Sequence, residues 1–356
     1  EEFNPQKIVA AVNKSAARIL YTFSQEEKDF ICRFAQEHAD SLGKNEIQIQ
    51  EMHNIVEGAL ERVNPAVAKS YRDYRNYKLD FIHMMDDVYT KSQAIRYIGD
   101  KSNANTDSAL VATKRSLIFN ELNKELYRKF FMNRNELQAC KDGYIYIHDQ
   151  SARLDTMNCC LFDVASVLSG GFEMGNVWYN EPKTLDTAFD VMGDIVLSTA
   201  AQQYGGFTVP EVDKILAPYA KKSYDKYVQE FLQYSDKSWT GREEKAIEYA
   251  LDKVRRDFDQ GWQGIEYKLN TVGSSRGDYP FVTVTLGLGT GQFEKMCNIS
   301  LLEVHKGGQG RDGHKKPVLF PKIVFLYDEN IHGPGQCCED VFEAGVDCSA
   351  KTMYPD

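Results

Sequence analysis

Apolar residues recur at helical spacing along the opening segment of the chain. Ile8, Val12, Ala16, Ile19 and Leu20 form one stripe, and Met52, Ile55, Val56, Leu60 and Val63 form another. Asn64-Pro65 ends the second stripe, because proline has no N–H to donate and pushes the residue before it out of the α region. A further helix is predicted from Ala66, carrying the run Ser70-Tyr71-Arg72-Asp73-Tyr74-Arg75. The pattern predicts a small, mainly helical module over residues 1–90. A polar join near residues 84–106 leads into a second domain over residues 91–356.

Beyond that join the pattern changes period. Tyr144-Ile145-Tyr146-Ile147-His148 reads as a short strand. Leu185, Ala188, Phe189, Met192, Ile195, Val196 and Thr199 follow a helical repeat, with Pro182 placed as a first-turn proline. Two more helices are predicted, one through Leu216, Tyr219, Ala220, Tyr227, Val228 and Phe231, the other through Ile247, Ala250, Leu251, Val254 and Phe258. Phe281–Leu286 and Ile323–Leu326 read as buried strands, and Lys306–Lys316 as a surface loop. Strands separated by helices imply an α/β domain with parallel pairing. The chain stops at Met353-Tyr354-Pro355-Asp356 with no capping helix or polar tail, which reads as a truncation.

At 356 residues the chain exceeds what one ordinary core supports, in keeping with two domains. It carries 42 basic and 52 acidic side chains, a net charge of −10. That balance argues against a nucleic-acid-coating surface or a polybasic membrane anchor. No apolar run is long enough to span a bilayer, and no signal-peptide pattern opens the chain, so the expected location is cytoplasmic. Eight cysteines are too sparse for a disulfide scaffold and point to thiol chemistry in a reducing compartment.

Three motifs bear on chemistry. Gly287-Leu288-Gly289-Thr290-Gly291 follows a strand but has Gln292 where a dinucleotide fingerprint needs glycine, and there is no phosphate-loop lysine; it reads as a tight strand-to-helix turn. Cys337-Cys338 and Cys348 lack the second cysteine pair or paired histidines of a zinc finger, so no metal site is assigned to them, and they read as loop or core thiols. In Asn158-Cys159-Cys160, strand alternation lets only one thiol face a given side, so at most one is expected to react.

Taken together, several segments resemble the anaerobic, glycyl-radical class of ribonucleotide reductase. They are Asn158–Asp163, Gly171–Asn176, Pro182-Lys183, Gln203-Tyr204-Gly205-Gly206, Pro280-Phe281 with Gly287-Leu288-Gly289, Phe320-Pro321-Lys322 and Asp347–Asp356. The match runs in order over roughly residues 100–356. The opening segment resembles an ATP-cone, through Glu1–Ile8, His53 and Tyr71–Arg75. The resemblance implies a ten-stranded α/β barrel of the glycyl-radical type, incomplete at its C-terminal end. It implies an oxidoreductase that converts ribonucleoside triphosphates to deoxyribonucleoside triphosphates by glycyl and thiyl radical chemistry, with formate as reductant. Cys159, the first cysteine of its motif, takes the position of the second catalytic thiol. The family's basic hairpin lies ahead of Glu1, and its radical cysteine, zinc cysteines and radical glycine lie after the Tyr-Pro-Asp motif.

The resemblance also implies two effector sites. Glu1, Asn4, Lys7 and His53 match the contacts of ATP or dATP in the cone; Lys7 offers a point charge for phosphate and the others hydrogen bonds for base or sugar. Asn180, Lys183, Thr187 and Asp194 match a substrate-specificity site at a dimer contact, with the helix over 183–199 alongside. Implied partners are a second copy of the chain, or a higher oligomer, and a radical-SAM iron–sulfur activating enzyme. The rival reading is a noncatalytic nucleotide sensor that keeps the same cone and barrel.

Overall fold

The computed structural model describes residues 3–44, 46–98, 110–153, 157–271, 273 and 277–356. They divide into two compact units, Glu1–Thr90 and Lys91–Asp356.

The first unit is helical: α1 (Pro5–Ala17), α2 (Gln25–Ser41), α3 (Ile49–Val63) and α4 (Pro65–Ile98), the last running past the division. Each start has a local cause. Asn4 caps α1 by accepting the Gln6 N–H at 2.9 Å, with Pro5 in the first turn. Ser24 and Glu27 form a reciprocal capping box on α2. Asn64 ends α3, and its side chain accepts the Ala66 N–H at 3.0 Å to start α4. Ile8, Val12, Ile31, Val56, Leu60 and Val67 form the buried core. Two expectations fail here. Leu20 lies beyond α1, with φ at 56° and 96% exposure, so the first stripe stops at Ala16. Residues 84–98 continue α4 rather than forming a polar join: no proline or glycine breaks the segment, and Met84, Val88 and Ser92 are buried one turn apart.

The second unit opens with α5 (Val111–Phe130), α6 (Arg134–Lys141) and a 3-10 turn, Gln150–Ala152. There follow β1 (Cys160–Leu161), α7 (Val164–Leu168), β2 (Phe172–Met174), β3 (Val177–Tyr179), α8 (Leu185–Ala200), β4 (Phe207–Val209) and α9 (Val212–Tyr234). The chain continues through α10 (Arg242–Thr271), β5 (Val282–Leu286), α11 (Gln292–Gly307), β6 (Lys322–Phe325), α12 (Glu329–His332) and α13 (Glu339–Thr352).

The main sheet is parallel throughout, in the order β1-β4-β5-β6, and β2-β3 is a separate antiparallel hairpin. Register places Cys160, Phe207 and Val282 in line across the sheet, and Leu161, Thr208 and Thr283 in the next row. β5 alternates buried Val282, Val284 and Leu286 with half-buried Thr283 and Thr285. The buried row meets Leu185 and Phe189 of α8, Leu216 of α9, Phe258 and Trp262 of α10, and Leu301 of α11. One face of the sheet is therefore covered by helices, and the other carries threonines and an exposed Leu161. This is an α/β arrangement compatible with one segment of a barrel wall; among the described residues four strands, not ten, form it.

Tyr144–His148 is not a strand: Tyr144 and Tyr146 are both more than four-fifths exposed and the segment has no ladder partner among the described residues. Pro182 also lies outside its helix, which begins at Leu185 after Thr184.

Candidate active site

At the N-terminal ends of β1 and β4, two short segments are laced together. The Tyr204 N–H donates to Met157 O at 2.9 Å, the Gly205 N–H to Asn158 O at 2.5 Å, and the Cys160 N–H to Gly206 O at 3.0 Å. The Gly206 N–H donates to Cys159 Sγ at 3.3 Å. Cys160 Sγ donates instead to Gln203 Oε1 at 3.0 Å. The two thiols thus have separate environments. Cys159 is exposed, while Cys160 is half-buried and packs against the core. Burial, then the neighbouring Cys159, push the Cys160 thiol above its ordinary pKa, with Gln203 opposing.

The close approach explains Gly205. A Cβ there would stand 2.5 Å from Asn158 Oδ1, 2.6 Å from Cys159 Sγ and 2.8 Å from Asn158 O. Only hydrogen at that position lets the two segments meet. Gln203 and the two glycines were visible as a motif, but their role as the partner of Asn158-Cys159-Cys160 depends on the parallel pairing of β1 and β4.

Strand β5 ends in the glycine turn. Gly287 sits at φ +119°, and a Cβ there would lie 2.9 Å from Leu326 O. The buried Asp213 of α9 accepts the Gly287 N–H at 3.3 Å, the Gly289 N–H at 2.9 Å and Asn298 Nδ2–H at 3.0 Å. Amides that would otherwise suit a phosphate are held by an internal carboxylate, in agreement with the tight-turn reading. His332 Nε2 lies 2.9 Å from Gly287 O on the other side. The sequence pattern missed Asp213; an acidic residue entering a helix is usually solvated, and nothing local marks this one as buried.

The expected effector residues are distributed as follows. Glu1 lies outside the described residues. Asn4 caps α1, and Lys7 is one turn inside it, in a first turn free of acidic residues. His53 on α3 is half-buried, its Nδ1 2.7 Å from the Tyr71 hydroxyl of α4. Burial first, then Arg75 and Lys78, hold the His53 pKa below its ordinary value, and burial raises Tyr71 to about 12.

In the second unit Lys183 is exposed just ahead of α8, and Asn180 is exposed just after β3. Thr187 Oγ1 lies 3.0 Å from Thr184 Oγ1, and Asp194 Oδ2 accepts the Tyr179 hydroxyl at 3.3 Å. That last bond ties the β2-β3 hairpin to α8. The stripe Leu185, Phe189, Met192 and Val196 of α8 is buried in the core of this unit, and the outward side of the helix carries Asp186, Thr187 and Asp190.

The fold and site together are a thiol-bearing parallel sheet of an α/β unit with helices on one face, in a chain whose first unit is helical. The family model described as anaerobic ribonucleoside-triphosphate reductase matches residues 102–356, and the one described as ATP cone domain matches residues 1–80. The chain belongs to the anaerobic ribonucleoside-triphosphate reductase family.

Among its relatives is the anaerobic ribonucleoside-triphosphate reductase of Enterobacteria phage T4, 35% identical over 262 residues that cover 71% of this chain and 41% of that protein. The Haemophilus influenzae protein of the same name is 30% identical over 370 residues, covering 100% of this chain and 50% of its own length. The chain thus spans half or less of these two relatives. A crystal structure of the anaerobic ribonucleotide reductase from Thermotoga maritima in complex with dATP and CTP aligns with a TM-score of 0.47 at 14% identity, covering 76% of this chain and 48% of that one. Among the described residues no helix is long and apolar enough to cross a membrane.

Proposed function

We propose that this chain is the cone and the first half of the barrel of an anaerobic ribonucleoside-triphosphate reductase, with Cys159 as the thiol that delivers hydrogen to the substrate. The observation that carries the reading is the pairing of Cys159 with Gly206 at the strand ends, on an exposed edge, while the adjacent Cys160 turns inward to Gln203. One thiol is available to a ligand and the other serves packing.

Reducing a ribonucleotide replaces the 2′-hydroxyl with hydrogen. The glycyl radical, formed by a radical-SAM activating enzyme, supplies the unpaired electron that a partner thiol passes to the 3′-position. Cys159 acts across the sugar from that thiol: its S–H bond breaks and the hydrogen goes to the substrate, the 2′-hydroxyl takes up a proton and leaves as water, and formate, the terminal reductant, is oxidised to carbon dioxide as the thiol is restored. The Gly206 N–H fixes the sulfur, and the threonine-bearing face of the sheet gives the substrate a polar wall. A closed barrel keeps water from the radical.

The cone takes ATP or dATP. Lys7 and the N-terminal end of α1 together suit phosphate, since that turn has no acid to cancel the helix dipole. Glu1, Asn4 and His53 complete the site. A second effector, bound near Asn180, Lys183, Thr187 and Asp194 at a contact between two copies, sets substrate choice. The enzyme works in the cytoplasm, without nucleic acid or membrane partners.

The test uses the activated full-length enzyme, without oxygen, supplied with a ribonucleoside triphosphate and formate. Formation of the matching deoxynucleoside triphosphate is expected. No deoxynucleotide and no glycyl radical after activation would leave the noncatalytic sensor; a stable radical without deoxynucleotide would point to a different glycyl-radical reaction.

A further inference from the structure

The chain contains two Cys-Cys dipeptides, and the fold gives them opposite geometries. Cys159 and Cys160 enter a strand, where alternation separates the thiols and gives each its own partner. Cys337 and Cys338 lie in the turn between α12 and α13, where no alternation applies. Their sulfurs lie 3.7 Å apart, and both are free thiols.

The pair is also asymmetric. Cys337 is exposed, whereas Cys338 is wholly buried, its Sγ against Gly289 O at 3.8 Å. Cys337 lines an open cleft of about 940 Å³ between α10 and α11, whose walls carry charges of both signs, Arg255, Lys295 and Lys315 with Asp259, Glu303 and Asp340. Lys295 Nζ donates to Cys337 O at 2.6 Å and pairs with Asp340 at 2.9 Å, so an ion pair braces the turn. None of this belongs to the candidate active site.

We propose that Cys337 and Cys338 form a dithiol modification site, oxidised to a vicinal disulfide by exchange with a low-molecular-weight organic disulfide entering this cleft. The Cys337 thiolate attacks one sulfur of the disulfide, forming a mixed disulfide and releasing one thiolate. Cys338 then loses its proton and attacks the Cys337 sulfur, closing the ring and releasing the second thiolate. Two protein thiols are oxidised and one organic disulfide is reduced to two thiols.

The order of attack follows from exposure. Cys338 is raised to about 11, by burial first and then by its neighbour, so at neutral pH it is a thiol and a poor first nucleophile. Once Cys337 is modified, ring closure needs the sulfurs to approach to about 2.05 Å, and because adjacent Cα atoms stand only about 3.8 Å apart, below the usual span of about 4.4–6.8 Å, the backbone of the turn must adjust with them. The movement draws Cys338 from Gly289, in the turn that Asp213 holds.

The test exposes the intact protein to oxidised glutathione without oxygen, alkylates the remaining thiols and maps them by mass spectrometry. The peptide holding both cysteines should appear two hydrogens lighter, with no adduct. Cys338→Ser should stop at the mixed disulfide on Cys337, and Cys337→Ser should react at least about tenfold more slowly at this pair. A second measurement needs no variant: one equivalent of phenylarsine oxide should protect both thiols from alkylation, forming two S–As bonds and releasing water. A persistent glutathione adduct in the unsubstituted protein, or free alkylation of both thiols after either reagent, would overturn the proposal.

Discussion

The sulfur of Cys159 accepts the backbone N–H of Gly206 at 3.3 Å, a contact made across the β1-β4 pairing between residues far apart in the chain. It makes the Gln203–Gly206 segment the clamp on the Asn158–Cys160 segment, and it leaves no room for a side chain at Gly205. Gly205→Ala should force the two segments apart. The expected cost is about 1–3 kcal/mol, as for other overpacked sites, read by urea unfolding. Alkylation of Cys159 should change rate in the same variant, because its amide partner is displaced.

Asp213 should matter to stability more than any surface carboxylate. Asp213→Ala removes the acceptor of two backbone amides and one asparagine amide in a fully buried place. A loss of about 2–4 kcal/mol is expected from the donors left unpaired. A denaturant midpoint unchanged within error would show that water satisfies these amides instead.

Helices α8 and α10 cross without space at Gly261, where a Cβ would lie 2.1 Å from the Phe189 ring. Gly261→Ala should lower stability by about 1–3 kcal/mol through overpacking, despite alanine's better helix propensity. Equal or higher stability in thermal unfolding would mean that Phe189 can swing aside.

How much of this was legible beforehand differs by residue. The faces of α8 and α9 follow from apolar period, as does that of α10 from Ala250 on, although the expected Ile247 is exposed and Ala246 is buried instead; β5 and β6 follow from their β-branched runs. Tyr144–His148 has the same local pattern, yet it finds no partner strand, because pairing is a tertiary property. The C-terminal part of α4 buries only a thin face, Met84, Val88 and Ser92, one of them polar, which is too little for apolar period to reveal. At the thiols, alternation separated Cys159 from Cys160 in advance, but the Gly206 contact and the closeness of Cys337 to Cys338 depend on register and turn geometry.

His53 gives the cone unit a pH dependence. Its folded pKa lies below the ordinary histidine value, chiefly through burial, so the unfolded chain binds a proton more readily. The stability cost is absent above the unfolded pKa of about 6.5, grows as pH falls below it, and is complete below the folded pKa. Thermal unfolding of the protein between neutral and mildly acidic pH should show this fall, and His53→Phe should flatten it. A parallel slope in both proteins would assign the dependence to other groups.

Lys7 should anchor the phosphates of the cone nucleotide. Removing one charge-assisted hydrogen bond costs about 1.5–3 kcal/mol, so Lys7→Ala should weaken dATP binding roughly tenfold or more by calorimetry. Unchanged affinity would move the site off the first turn of α1.

The central claim is that Cys159, and not Cys160, hands hydrogen to the substrate. The direct measurement compares Cys159→Ala with Cys160→Ala in the activated full-length enzyme, reading deoxynucleotide formation beside the glycyl radical signal. Cys159→Ala should lose turnover while the radical signal and nucleotide binding persist. Cys160→Ala should keep turnover and lose about 1 kcal/mol of stability, the scale of a modest cavity. Turnover retained in Cys159→Ala, or lost only in Cys160→Ala, would contradict the account.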